Sequence, residues 1–203
     1  GTYMTTKDVF ENELHTYTIT HAIEDKNVLR FHVDYFNPDE TKDITAEGTV
    51  KKQAIVKTIM SKHDTATNGR RFNAFLATAS INDAIEYYHL FKNVQRQYLN
   101  EKEGYEPLNI ACVFTPPAEG NKDIMQIQED LTQERQDNMV EPEKKKQALR
   151  EILKDYEQQF GAHFTINDFD AYYQDVQKRI KDQKYSNKDY PHRNKIDITI
   201  VVD

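Results

Sequence analysis

The 203-residue sequence contains no tryptophan, a single cysteine, and only six glycines and six prolines. The lone Cys112 cannot form an intramolecular disulfide, and its apolar neighbours predict a small core residue in a reducing compartment such as the cytoplasm. No apolar stretch is long enough to span a bilayer, and the chain does not open with a signal-peptide pattern, so no membrane association is expected.

Motifs that bind phosphate or metal are also missing from the sequence. There is no glycine-rich loop followed by lysine and serine or threonine, which excludes ATP binding in the usual P-loop manner. No acidic box of the Asp-Glu type stands where a Mg²⁺ ligand is expected. The seven histidines are scattered, and neither the His15–His21 spacing nor any other pair suits zinc. The chain itself is therefore predicted to hold no cofactor and no metal.

The charge balance is acidic, with a net charge of -7 and a mean hydropathy of -0.86. Stand-alone DNA-binding modules usually have a basic face, so the balance argues against that class. It does not exclude one domain of a larger motor that touches the DNA backbone at a few points. Basic residues dominate between Lys178 and Lys195, where a solvated helix face is predicted and a nucleic-acid contact is the alternative.

The segment Pro38–Lys42 superficially spells the parts of a PD-(D/E)xK nuclease motif. In that site the carboxylates come from separate strand positions and converge on one metal. Here they are compressed into one polar stretch, so a turn is predicted rather than nuclease chemistry.

Four segments have the pattern of strands, at residues 28–36, 71–78, 108–115 and 196–202. The first alternates apolar and polar residues, and the other three are short, apolar and rich in β-branched or aromatic side chains, which is typical of buried parallel strands. Helical periodicity is found at 46–63 and 82–100. Strands alternating with helices predict an α/β fold with a parallel sheet.

The connection between the last two predicted strands is about eighty residues long, far more than a crossover needs, and so implies an insertion. Two apolar stripes predict a helical hairpin there, the first ending at Gly161 and the second capped at Thr165 or Asp168. The stripes are Leu149, Ile152, Leu153, Tyr156 and Phe160, then Phe169, Tyr172, Tyr173, Val176 and Ile180. Residues 116–143 and 185–194 are polar and are predicted to be loops or mobile helix, and 120–190 is expected to be the most protease-sensitive region.

Several phrases resemble the motor region of type I restriction enzyme R subunits. They are residues 5–10, 14–25 and 28–35, then 72–81, 84–88 and 91–92, and finally 196–203. The first group is similar to the passage out of the first motor domain, the second to the motif IV strand and helix, and the last to the strand leading into motif V. Within the insertion only Asp155-Tyr156 and Phe160-Gly161 are similar.

The resemblance implies a RecA-like parallel sheet sandwiched by helices, the second domain of a superfamily 2 DNA translocase. The family continues past this point with a Thr-Gly-Phe-Asp motif V and an arginine-bearing motif VI, and has a nuclease domain, P-loop and acidic box upstream. The implied layout is a linker and leading helix at 1–27, the domain core at 28–118, a helical insertion at 119–194 and the last core strand at 195–203. Alone, the chain is expected to be monomeric and inactive as an ATPase.

In the parent protein the resemblance implies ATP and Mg²⁺ as cofactors, and duplex DNA and the methylation and specificity subunits as partners. This domain is expected to grip the DNA backbone without reading bases. The candidate contacts are Thr78, Ser80, Asn82, Thr115, Lys92 and Arg96. Ser80 or Asn82 is alternatively a plain helix cap, Thr115 has a similar structural alternative, and Lys92 and Arg96 alternatively face water.

A second hypothesis belongs to another functional class. The chain is then a non-enzymatic α/β scaffold whose helical hairpin docks a partner protein. The two hypotheses differ in what is expected beyond the chain ends: a P-loop upstream and a Thr-Gly-Phe-Asp motif directly after Asp203 favour the motor, and a reading frame that ends at Asp203 favours the scaffold.

Overall fold

The computed structural model describes residues 17–27, 48–117, 132–181 and 194–203. The chain divides into two compact units, residues 1–37 and 38–203, which are treated separately. In the first unit, helix α1 (Ile19–Glu24) begins after Thr18, whose hydroxyl accepts a hydrogen bond from the His21 backbone N–H. The strand predicted at 28–36 and the turn predicted at Pro38–Lys42 lie outside the described residues, as does most of the loop predicted at 185–194.

The described part of the second unit contains three parallel strands, β1 (Ala74–Thr78), β2 (Ile110–Val113) and β3 (Ile198–Val202). Their order is β1-β3-β2, so the strand that comes last in the chain lies between the other two. Its sequence ITIVV suits that position, because β-branched side chains pack well on a pleated surface covered on both faces. Three of the four predicted strands and their parallel pairing are therefore confirmed.

Helices α2 (Gly48–Ala66) and α3 (Ile81–Glu101) match the two predicted from periodicity. Helix α3 connects β1 to β2 and buries one face against the sheet. The buried residues of that face are Ile81, Ala84, Tyr88, Phe91 and Val94, at three-to-four spacing. The ammonium group of Lys52 on α2 bonds to the carboxylates of Asp83 and Glu86, which attaches α2 to α3.

Between β2 and β3, the residues that the structure describes form three further helices, α4 (Thr132–Met139), α5 (Pro142–Phe160) and α6 (Phe169–Lys181). Helix α5 ends at Gly161, whose φ of 70° is the left-handed conformation that favours glycine, as predicted. A short 3-10 turn, Ile166–Asp168, precedes α6, and the Asp168 carboxylate accepts hydrogen bonds from the Thr165 N–H and hydroxyl. The cap predicted at Thr165 or Asp168 is therefore formed by both residues together.

The predicted stripes of α5 and α6 belong to the same core as the strands, except that Tyr173, predicted as part of the second stripe, is 42% exposed. The rings of Tyr156 and Tyr172 meet edge to face with centroids 5.0 Å apart, so the two helices also contact each other. The Tyr172 hydroxyl donates to the Cys112 carbonyl of β2 at 2.8 Å. Burial of these helices argues against protease cleavage within them, whatever the sensitivity of the rest of 120–190.

The polar segment 116–143, predicted to be loops or mobile helix, is described at 116–117 and from 132 onward. Residues 132–139 form α4, and its Glu134 and Asn138 are buried. Because a run such as TQERQDNM has no apolar stripe, its attachment to the rest of the domain is made by polar side chains. None of the described helices is long and apolar enough to cross a membrane.

Candidate functional site

The carboxyl ends of the three strands form one edge of the sheet, which is where parallel α/β sheets place ligands. Thr78 ends β1 opposite Val202 of β3, and Thr115 follows two residues after the end of β2. The Asp203 N–H donates to the Thr78 carbonyl at 2.9 Å. Two of the candidate residues, on separate strands, are thus brought to the same edge.

Thr78 is 6% exposed and its hydroxyl is used internally. The hydroxyl donates to the Val201 carbonyl at 2.9 Å and lies 3.2 Å from the Ser80 carbonyl. Its geometry therefore fixes the turn between β1 and α3.

Ser80 is the N-cap of α3. Its hydroxyl accepts from the Asp83 N–H at 3.1 Å, with the extended backbone expected of a cap. The capping alternative is thereby observed, and a cap of this kind stabilises a helix by about 1 kcal/mol. Asn82 is exposed in the first turn, where helix N–H groups and the helix dipole favour an anion.

Two carboxylates of α4 occupy donors at this edge. The Ile81 N–H, which opens α3, donates to Asp137 at 2.8 Å. The Thr115 N–H donates to Glu134 at 2.7 Å, and the Thr115 hydroxyl donates to the same carboxylate oxygen. The Asn138 amide in turn donates to the Thr115 carbonyl at 2.8 Å. Thr115, one of the residues predicted from sequence to contact phosphate, is therefore bonded here to an acidic group of the same chain, and so is the Ile81 N–H that opens α3.

Glu134 is only 7% exposed. Burial raises the pKa of its carboxyl group, and the hydrogen bonds from Thr115 partly oppose that shift. Sequence reasoning missed Glu134, Asp137 and Asn138. The available signal was their spacing of three and four residues, which places all three on one face of a helix.

Lys92 and Arg96 do not join this edge. They lie on α3 at about 17 and 23 Å along its axis from Ile81, given 1.5 Å per residue. The Lys92 ammonium pairs with the Asp155 carboxylate of α5, which also accepts from the Tyr88 hydroxyl at 2.9 Å. Arg96 is exposed. Lys92 therefore connects α3 to α5 in this structure.

The opposite edge of the sheet holds buried charges. Asp197 is fully buried and accepts from the Asn109 N–H at 2.8 Å, and the Lys195 ammonium donates to the carbonyls of Arg70 and Phe72. Burial lowers the pKa values of Lys195 and of the adjacent His63. Within the described ranges, no three His, Cys, Asp or Glu side chains are grouped to hold a metal ion.

A parallel α/β domain with hydrogen-bond donors at its carboxyl edge is a frequent component of nucleotide- and nucleic-acid-handling proteins. The family model described as type I restriction enzyme subunit R domain 3 matches residues 70–203. The chain belongs to this family, as the resemblance indicated.

Curated relatives agree with that assignment. The endonuclease subunit of the type I restriction enzyme SauCOLORF180P of Staphylococcus aureus (strain COL) is 30% identical over 98% of this chain. The corresponding subunit of SsaAORF53P of Staphylococcus saprophyticus is 30% identical over 77% of it. The alignments cover 20% and 16% of those proteins, so the chain spans about a fifth of the length of the relatives it matches.

Proposed function

We propose that this chain is the second RecA-like domain of the DNA-translocating motor in a type I restriction R subunit. Membership of the R-subunit family is the observation that supports this most directly. A parallel sheet covered by helices, with β3 in the middle, is consistent with a RecA-like arrangement. In such a motor, ATP with Mg²⁺ sits between two domains, and its hydrolysis opens and closes the cleft while duplex DNA is moved.

In the ATP-driven translocation cycle, the role of this domain is to contact the DNA backbone. Ser80, Asn82 and Thr115 supply neutral hydroxyl, amide and backbone donors at one edge of the sheet, where the Thr115 donors are bonded to Glu134 in this structure. Thr78, whose hydroxyl is bonded internally, holds the end of β1 in place. Neutral donors suit a translocase, because each phosphate must be released after it is gripped. Bases are not read here, since phosphate contacts position a protein on duplex DNA without sequence information.

The partners in the proposed complex are duplex DNA and the methylation and specificity subunits. The scaffold alternative is disfavoured by the burial of the hairpin. Leu149 and Ile152 on α5 and Tyr172 on α6 are each at most 1% exposed, so their stripes are covered by this chain's own sheet.

The test is binding of a fluorescent 30-base-pair duplex to the 203-residue chain, followed by anisotropy. We expect weak affinity, equal for two unrelated sequences, that falls steeply between about 25 and 200 mM salt because counterions are released. An undetectable interaction at the lowest salt, or tight binding insensitive to salt, contradicts the proposal.

A matched pair of variants locates the contact. Asn82→Ala is expected to weaken DNA binding by about fivefold, equivalent to the loss of roughly one hydrogen bond. Asn93→Ala removes the same amide from an exposed position further along α3 and should leave the affinity unchanged. If the two substitutions change the affinity equally, the carboxyl edge of the sheet is not part of the DNA interface.

A further inference from the structure

The donors best placed for a phosphate at the carboxyl edge are already engaged by carboxylates. Asp137 accepts from the Ile81 N–H, and Glu134 accepts from both the N–H and the hydroxyl of Thr115. A carboxylate and a phosphodiester are both anionic oxygen acceptors and use the same donors. One short helix, α4, thus presents two acidic groups to two separate strand ends.

The two carboxylates lie one helical turn apart on the same face of α4, so a single displacement of this helix frees both sets of donors. While α4 is seated, its negative charges also face the approach that a phosphate would take. The helix therefore opposes DNA binding at this edge in two ways: its carboxylates occupy the hydrogen-bond donors, and their negative charge repels the phosphates.

The seated position of α4 is held by polar contacts and not by apolar packing. The helix has eight residues and no apolar stripe, so it has little hydrophobic attachment of its own. Asn138 is 7% exposed, and its side-chain oxygen has no hydrogen-bond partner among the described residues. Burial of Glu134 penalises its charged form. Each of these features lowers the free energy needed to release the helix.

We propose that α4 is an autoinhibitory latch: Glu134 and Asp137 stand in for DNA phosphates at the Ile81 and Thr115 donors, and the backbone of duplex DNA displaces them. This inference rests on the proposed function, because the competing ligand is the DNA backbone. The same edge then has two states, closed by the chain's own carboxylates and open to a phosphate.

The test is the affinity of the double variant Glu134→Gln/Asp137→Asn for the same 30-base-pair duplex. The substitutions keep the size of the side chains and an acceptor oxygen, and they remove two negative charges. The control is Glu103→Gln/Glu106→Gln, which removes two charges from exposed residues just beyond the far end of α3, about 30 Å from Ile81. The latch variant should bind DNA about tenfold more tightly than the control variant.

A general charge effect raises the affinity of both double variants equally and overturns the latch. An unchanged affinity of the latch variant, with wild-type DNA binding intact, also overturns it and leaves the proposed function standing. If neither the wild-type chain nor the latch variant binds DNA at about 25 mM salt, the proposed function itself fails. Single Asp137→Asn, at a half-buried position, repeats the test should the double variant melt early.

Hydrogen exchange of the wild-type chain supplies a second readout, which needs no substitution. With duplex DNA added, the backbone amides of residues 132–139 should exchange at least several-fold faster, while those of β3 should be unchanged. Protection of 132–139 that stays the same or increases in the complex means that α4 remains seated, and the proposal is then wrong.

Discussion

Replacing Tyr172 with phenylalanine tests how α6 is attached to the sheet. The side chain is fully buried, and its hydroxyl donates to the Cys112 carbonyl of β2 at 2.8 Å. Burial raises the pKa of this phenol well above its ordinary value, so the hydroxyl remains a donor at every practical pH. Tyr172→Phe removes only that donor and leaves a buried carbonyl without it.

Leaving a buried acceptor unsatisfied costs about 1–3 kcal/mol, and we take roughly 1.5 kcal/mol for the loss in the free energy of unfolding. For a domain of this size, 1 kcal/mol corresponds to about 2–4 °C, so Tm should fall by roughly 3–6 °C. In urea, a slope of about 2 kcal/mol/M puts the midpoint roughly 0.7 M lower with the slope unchanged.

The adjacent Tyr173 provides the control, because it is 42% exposed and Tyr173→Phe removes the same atom. Its effect on stability should stay within about 0.5 kcal/mol. The assay is urea unfolding at 25 °C followed by circular dichroism. If the two variants have the same urea midpoint, the Tyr172 hydroxyl does not contribute to packing against β2. The conclusion that α5 and α6 of the helical insertion belong to the core is then wrong.

Four further substitutions or reactions check the structure. Gly161→Ala should lower the free energy of unfolding by about 1 kcal/mol, measured in urea, because φ is 70° there and an added Cβ meets no atom within 4 Å, so only backbone strain opposes it. Burial lowers the pKa of His63, so the stability that its neutral form contributes is lost as pH falls from about 6.5 through the lower pKa of the folded state. The free energy of unfolding should therefore be lower at pH 5.5 than at pH 8, and His63→Gln should reduce that difference. The bond to Glu157 raises the pKa of His163, so the stability that this pair contributes is present below about pH 6.5 and is lost as pH rises. His163→Gln should therefore reduce a loss of stability on raising the pH, which is the opposite direction to the effect of His63. Burial raises the pKa of Cys112, so its thiol should react with a disulfide reagent only on unfolding, and rapid native labelling contradicts its place in the core.

Hydrophobic pattern was sufficient to predict the elements of the core. The strand at 198–202 consists of β-branched residues after its acidic neighbour Asp197, and such a run has few other stable environments. The face of α3 that includes Ala84 and Phe91 repeats every three to four residues, which specifies a helix packed on one side. These signals are local, so the sequence alone contains them.

The candidate site could be predicted only in part. The strand ends at Thr78 and Thr115 follow from the strands, and their convergence follows from parallel pairing. The partners of these ends do not, because Asp137 lies 56 residues from Ile81 and Glu134 lies 19 from Thr115 along the chain. A polar helix such as α4 has no periodic apolar residues from which its packing against the domain could be predicted. Contacts of this kind depend on the tertiary fold.

The two edges of the sheet differ in the way they use charge. At the amino edge, the backbone of Asp197 bonds to Ala74 and Asn109 at 2.8 Å each, and its buried carboxylate accepts from Asn109. The Lys195 ammonium reaches the carbonyls of Arg70 and Phe72, so the residues around the starts of all three strands are joined by groups that no solvent molecule replaces. Removing one member of such a buried set leaves another charge unpaired, which is strongly destabilising.

At the carboxyl edge, Thr78 and Asp203 join the ends of β1 and β3, whereas the donors of Ile81 and Thr115 bond to side chains of one short helix. Under the proposed latch, a phosphate replaces those side chains without breaking the core, so stability and ligand exchange are assigned to opposite ends of the same three strands. Under that proposal, a chain with a net charge of -7 still offers a place for DNA, because displacement of α4 moves two acidic groups away from donors that stay with the sheet and α3.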